Sequence, residues 1–250
     1  MYTMSAITAA VTGARHLRMV RNGQDAAAGW TGDGVGAVVV CDGCGAGASS
    51  EVGARLGARL VIAALRRQLG APNGSPDWPR VWGEVRAQVT AALGALLAAM
   101  APDDREAAVH DHLLFTVVAA AVARGSASVW AIGDGGYAFG DQHRVLGPFA
   151  DNQPPYLGYD LLGAPAEPHL EVFDVSGAGR LVVASDGAAE LELAALELDR
   201  VRNPDALRRR LAVLARAGER IDWDARRVVR TPAALQDDGA IAVLRWAARS

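Results

Sequence analysis

Four apolar runs in this 250-residue chain border on aspartate with glycine beside it. Asp42 follows Gly36–Cys41, Asp134 follows Ser128–Gly133, Asp186 follows Leu181–Ser185, and the pair Asp237–Asp238 precedes Gly239–Leu244. Runs of this length and composition read as buried strands. An aspartate at a strand end sets a carboxylate at the sheet edge, and the neighbouring glycine lets the backbone turn away sharply. Spread over the whole chain, the pattern predicts strand ends converging on one anionic pocket. Like charges that close together need a cation, and oxygen donors point to Mg²⁺ or Mn²⁺ rather than zinc.

Composition narrows the remaining classes. The chain is 51% hydrophobic and 21% charged, with a formal net charge of −3. That balance predicts a soluble protein with one large core in a single domain over residues 1–250, and gives no support for nucleic-acid or membrane partners. No apolar stretch approaches the ~20 residues of a membrane span, and the N-terminus lacks a secretion-signal pattern. Cys41 and Cys44 are the two cysteines, without a second pair to make a zinc site. Free thiols in the cytoplasm are the default expectation. All 25 basic residues are arginine. The absence of lysine excludes a P-loop and any Schiff-base enzyme.

Along the chain, 4–12 and 34–41 read as strands joined by a polar, glycine-containing segment. A helix is expected from Glu51, with Val52, Leu56 and Leu60 on its apolar stripe and Ser49 or Ser50 as its cap. After a loop over 71–77, a second helix carries Val81, Val85, Val89, Leu93 and Leu97 and ends at Pro102. Strands follow at 113–123, 127–133, 136–140 and 143–146. Residues 147–168 hold five prolines and read as a long irregular loop, a candidate flap. Strands at 169–174 and 180–185 precede a helix capped by Asn203-Pro204 with Leu207, Leu211 and Leu214 on one face. The arginine-rich 218–235 reads as a solvated connection before a last strand at 240–246. Strands and helices do not alternate regularly, so an α+β layered arrangement with mostly antiparallel sheets is expected.

These blocks resemble the metal-dependent protein phosphatases of the PP2C (PPM) type, in their divergent bacterial branch. The resemblance is carried by Gly13 to His16 with Gln24-Asp25-Ala26, by Asp42-Gly43 leading into the Ser49–Leu60 helix, by Gly133-Asp134-Gly135, by Ser185-Asp186-Gly187 and by Asp237-Asp238, in that order. It implies a four-layer α-β-β-α sandwich, two central antiparallel sheets flanked by helices, with a two-metal site at one end. In that likeness Asp42 bridges both metals, the Gly43 carbonyl binds one, and Asp186 with Asp237 completes the other; Asp238 is the alternative to Asp237. Asp25 supports the water around the ions, and His16 stands behind the ligands. Asp134 and Glu190 match positions linked to a third, weaker metal. Arg18 and Arg21 are candidates for holding phosphate, for which an arginine fork is suited.

The resemblance implies hydrolysis of phosphoserine and phosphothreonine in proteins. Uncatalysed phosphate-monoester hydrolysis is so slow that accelerations up to ~10²¹ are needed. Two Mg²⁺ or Mn²⁺ ions roughly 3.5–4 Å apart neutralise the phosphate and acidify a water for in-line attack. The implied partners are phosphoproteins, a Ser/Thr kinase or its targets. Three departures favour an alternative, a pseudophosphatase serving as a regulatory binding module. Cys44 stands where many members carry a proton-donating His, leaving it either a donor or a turn residue. Gln24 replaces a carboxylate, and a Gly-Thr-Thr element is replaced by the segment ending in Thr116.

Overall fold

The computed structural model describes residues 2–70, 74–101, 103–191 and 196–248. Residues 71–73 of the expected 71–77 loop, and Pro102 as the expected helix stop, lie outside the described residues.

Two five-stranded sheets stack face to face, and all their strand pairs are antiparallel. One sheet contains β1 (Tyr2–Val11), β6 (Gly135–Phe139), β7 (Gln142–Leu146), β9 (Gly179–Ala184) and β12 (Gly239–Ala248) in the order β1-β12-β9-β6-β7. The other contains β2 (Ala26–Thr31), β3 (Val35–Gly43), β4 (Phe115–Ala123), β5 (Ser126–Ile132) and β8 (His169–Asp174) in sequence order. Alternation along β3 shows how one strand serves two cores. Val38 and Val40 face the partner sheet, while Ala37, Val39 and Cys41 face the outer helices. A strand buried on both faces has no polar face to reveal its period, which is why β3 and β4 appear as unbroken apolar runs.

The outer helices on the second sheet are α2 (Glu51–Leu69), α3 (Trp78–Met100) and α4 (Arg105–His112). On the first sheet lie the short α5 (Asp186–Ala189) and α6 (Pro204–Leu214). The result is the expected α-β-β-α sandwich. Among the described residues, no single helix is long and apolar enough to cross a membrane.

Several local expectations need correction. The α2 stripe is displaced: Val52 is exposed, and the buried face is Ala54, Ala58, Val61 and Leu65, with Gly53 and Gly57. A Cβ at Gly57 would come within 2.3 Å of the Phe115 ring, so the helix seats on the sheet through its smallest residues. A stripe chosen by side-chain size misses such a face. The segment between β1 and β3 holds a helix, α1 (Ala14–Met19), and the edge strand β2, whose sequence is rich in alanine and lacks β-branched residues before Thr31. The start of the expected 113–123 strand follows α4, which Asp104 caps by accepting from the Ala107 N–H. The expected solvated connection forms the hairpin β10 (Gly218–Asp222) and β11 (Arg227–Thr231). Residues 147–168 contain two 3₁₀ turns, Ala150–Asn152 and Leu157–Leu162. Leu157 and Leu161 are buried in the core beneath α3, and Asp160 pairs with Arg86 at 2.7 Å, so the second half of this segment is packed. The cap of α6 is as expected, with Asn203 accepting from the Ala206 N–H at 2.9 Å.

Candidate metal centre

The antiparallel pairing fixes which strand ends meet. Asp42 is the penultimate residue of β3 and pairs with Thr116 at the start of β4. Asp134 sits in the turn between β5 and β6, Asp186 opens α5 just after β9, and Asp237 and Asp238 lead into β12 beside that strand end. All five carboxylates line one cavity of about 340 Å³ at this end of the sandwich, with Gly43, Cys44, Thr116, His16, Arg21 and Gln24.

Two glycines allow the acidic segments to approach this closely. A Cβ at Gly13 would lie 2.0 Å from the Asp237 carbonyl oxygen, and one at Gly187 would lie 2.4 Å from that of Asp238. Any side chain at either position would push the aspartate pair out of the pocket.

Asp237 and Asp238 take different parts. Asp238 is 3% exposed, and its carboxylate accepts from Gly13 N–H at 2.8 Å and Gln24 N–H at 2.6 Å. His16 Nδ1 lies 2.7 Å from its second oxygen. Ligand atoms of His16, Asp237 and Asp238 fall within 4.8 Å of one another, a spacing that could hold an ion. The His16–Asp238 bond already occupies two of them. Asp237 is exposed, and its carboxylate accepts the Asp238 N–H at 2.9 Å. Among the described residues, Asp237 lines the cavity with only this local bond, so it is the member of the pair less committed to the rest of the chain.

The electrostatics match a site that holds more buried acid than its lining cations neutralise. Burial pushes Asp25 up to about 8 against the opposing bond from Ser185, and the charges of Asp238 and Asp186 add to the rise. Burial also lifts Asp42 well above the ordinary carboxylate range, with Asp25 and Asp186 contributing. Asp134 rises to about 6, from burial and then the Asp186 charge. Asp25 is 6% exposed, and among the described residues its Oδ1 has no hydrogen-bond partner. An all-oxygen donor set, excess buried acid and an orphaned carboxylate oxygen together fit a hard divalent ion.

The remaining expected residues divide. Asp25 lies behind the cavity, accepting from Ser185 Oγ at 2.5 Å, while Ser185 Oγ also accepts from Ala240 N–H at 2.9 Å. Arg21 lines the cavity and donates to the Gly47 carbonyl at 2.8 Å, tethering the loop after Gly43. Arg18 is exposed and is not among the lining residues; Arg15, one turn earlier on α1, is. Glu190 is not brought in either. Four-residue α5 ends before it, and it is exposed beside Asp141, His143 and Arg180 in a separate cavity. Ser50 stands at the start of α2, but its hydroxyl makes no cap bond. It donates to the Cys44 carbonyl at 2.8 Å and accepts from Gln24 Nε2 at 2.5 Å.

Tyr156 is a lining residue that strand-end reasoning did not find. It comes from the proline-rich segment and sits against Cys44, where burial first and the Cys44 thiol second push its hydroxyl pKa up. An aromatic placed directly after Pro154-Pro155 in a suspected flap was the available signal.

A family model described as protein phosphatase 2C matches residues 12–226. Among solved structures, the catalytic domain of the serine threonine protein phosphatase PstP, in complex with 2 manganese ions, superposes at TM-score 0.61 with 16% identity, covering 99% of this chain and 100% of that one. The S. agalactiae serine/threonine phosphatase gives TM-score 0.61 at 15% identity, with 97% and 99% covered. PppA of Pseudomonas aeruginosa, described as a key regulatory component of T6SS, gives 0.58 at 20%, with 98% and 97% covered. No curated protein matches the sequence. At these identities the likeness to the solved structures is one of fold.

Proposed function

Because this chain belongs to the protein phosphatase 2C family, we propose that it is a Mg²⁺- or Mn²⁺-dependent hydrolase of phosphoserine and phosphothreonine in proteins. The observation that carries this reading is the convergence of Asp42, Asp134, Asp186 and Asp237 on one cavity. Asp42, the Gly43 carbonyl, Asp186 and Asp237 would hold two ions, with Asp134 alone of the expected pair near a third. Ions in such a site neutralise phosphoryl charge and lower the pKa of water.

The chain's own residues supply the rest. His16 and the two backbone N–H groups on Asp238 fix the turn from which Asp237 projects. Arg15 and Arg21 offer guanidinium forks to phosphoryl oxygens at the cavity wall. Cys44 and Tyr156 form the side on which a leaving serine or threonine oxygen would need a proton. The proposed partners are phosphoproteins, among them a Ser/Thr kinase or its targets, met in the cytoplasm.

One observation favours a second reading, a regulatory module without turnover. Gln24 stands where a carboxylate would hold ion-bound water, and its amide is committed to Ser50 and to the Cys44 carbonyl at 3.3 Å. Purified protein assayed on a phosphothreonine peptide with Mn²⁺ separates the two. Turnover that requires the metal and disappears in Asp42→Asn supports the phosphatase. A folded protein with neither turnover nor calorimetric Mn²⁺ binding supports the module.

A further inference from the structure

The edge of the second sheet presents an open slot. β2 is its terminal strand, paired with β3 on one side. The Gly32 N–H donates to the Val35 carbonyl at 2.8 Å, which sets the ladder's phase. Antiparallel partners alternate between bonded and non-bonded pairs, so with Thr31 opposite Gly36 the outward-facing N–H and C=O groups are those of Ala27, Gly29 and Thr31. β1 lies across one face of β2, where a Cβ on Gly29 would meet Ala6 and Thr8, and α2 lies across the other. Between these walls run three hollows of about 740, 710 and 1040 Å³. The first two share Ala28, Gly29 and Arg59, and the second and third share Trp30 and Arg66, so they form one trough along the strand.

The trough is edged with positive charge. Arg55, Arg59 and Arg66 project from the exposed side of α2 along its length. Arg55 reaches the Gly23 carbonyl at 3.5 Å, and the neighbouring Arg67 is taken up by Gln88 at 2.7 Å. Among the described residues, Arg59 and Arg66 have no acidic partner. Asp25 lines the near end of the trough, and Asp33 and Arg124 both line the far end. Arg59 and Arg66 are separated by ~10 Å along the helix axis, a length spanned by about three residues of extended chain.

From this geometry we infer that the β2 edge is a docking site for an extended, acidic segment of a partner protein. The segment adds a strand to the sheet through Ala27, Gly29 and Thr31, and its carboxylates meet Arg59 and Arg66. β2 has no proline, charge or bulge to discourage pairing. The arginine row repels a second copy of the same edge and selects an acidic strand instead. The alternating backbone groups suit a peptide better than a nucleic acid. This surface is distinct from the carboxylate cavity and does not depend on turnover there.

The test is fluorescence anisotropy of the full chain with a labelled decapeptide alternating Glu and Thr, against a Gln–Thr control. The acidic peptide is expected to bind, and to bind more weakly as salt is raised. Arg59→Glu with Arg66→Glu is expected to weaken binding at least tenfold. Arg208→Glu with Arg209→Glu, on α6, leaves it unchanged. Circular dichroism of each variant checks the fold. Amide exchange at Ala27, Gly29 and Thr31 slows when peptide is bound. Equal affinity for wild type and the Arg59/Arg66 variant overturns the inference. So do absence of binding, unchanged exchange at those amides, tighter binding of a single-stranded oligonucleotide, or wild-type dimers that exclude the peptide.

Discussion

The two walls of the carboxylate cavity are built differently. One wall is fastened by long-range bonds: Asp238 to Gly13, His16 and Gln24, then Gln24 to Ser50, and Ser50 to the Cys44 carbonyl. The other wall carries Asp134, Asp186 and Tyr156. Among the described residues no cation and no N–H from another element reaches Asp134 or Asp186. The first wall satisfies its buried acid with donors from the chain; the second leaves charge uncompensated. The contrast is between a half-site held by the chain's own donors and a half-site whose acid the described residues leave unpaired; under the proposed function, ions would complete the second half.

The largest expected effect breaks the site at its centre. Asp42→Asn removes charge where both walls meet, and loss of its part in holding ions is expected to cost about a thousandfold in turnover, equivalent to ~4 kcal/mol of barrier. Steady-state kinetics with a phosphothreonine peptide reads this directly. Activity within tenfold of wild type would mean that the carboxylates do not serve the chemistry.

The next effect separates the walls through adjacent residues. Asp238→Ala leaves His16 and two backbone N–H groups without their acceptor, and breaking such a buried pair is expected to cost ~3–5 kcal/mol of stability. Asp237→Ala removes only the local bond from the Asp238 N–H and is expected to cost about 1 kcal/mol of stability, while abolishing the same turnover as Asp42→Asn. Urea denaturation paired with the kinetic assay checks both. Equal destabilisation by the two substitutions would erase the distinction between a fastening aspartate and a presenting one.

The converging aspartates and the layered fold are legible in the sequence, the contrast between the walls is not, and the reasons are specific. Asp42, Asp134, Asp186 and the Asp237 pair stood out because strand and turn chemistry are local. The layered fold followed from the irregular order of strands and helices. Which of Asp237 and Asp238 is free depends on Gly13, His16 and Gln24, more than 200 positions away, so neighbouring sequence could not decide it. Glu190 was expected from the family resemblance, four residues after Asp186, but α5 stops at Ala189 and Glu190 lines a separate cavity. Arg18 and Arg21 were the candidates near the start; Arg21 lines the cavity, while the turn of α1 brings Arg15 there in place of Arg18. Tyr156 lies in a segment without periodicity, where no rule assigns a side chain its direction. β2 escaped notice because a run of alanine and glycine lacks the branched side chains by which strands are recognised.

A moderate effect sharpens the second wall. Asp25 at about 8 and Asp134 at about 6 hold protons more tightly in the folded chain than at the ordinary carboxylate value of 3.8. The unfolded chain therefore gives up protons first, and these groups lower stability as pH rises from about 4 to about 8. Metal-free protein is expected to melt at progressively lower temperature across that window. Saturating Mn²⁺ at pH 7–8 reverses the trend, by about 2.7 kcal/mol at a hundred times Kd, and releases protons on binding. Calorimetry in buffers of different ionisation enthalpy counts them. A melting temperature that rises from pH 4 to 8 without metal would contradict the excess of buried acid.

The smallest effect concerns the residue that belongs to both walls. Cys44 has its backbone held on the fastened side: its N–H donates to the Leu114 carbonyl at 2.9 Å, and its own carbonyl accepts from Ser50 and Gln24. Its side chain faces the open side, against Tyr156. Replacing the thiol should therefore leave the Asp42–Gly43 turn in place. Cys44→Ala is expected to keep the melting temperature within a few degrees and turnover within about tenfold, below the ~10²–10⁴-fold that a positioned proton donor contributes. The leaving-group pKa of the substrate discriminates further. If the thiol delivers the proton, the deficit in Cys44→Ala grows with alkyl phosphates and vanishes with a nitrophenyl phosphate, whose leaving oxygen needs none. A uniform deficit across both substrates would make Cys44 part of the frame, and leave Tyr156 as the acid of the open wall to test in the same way.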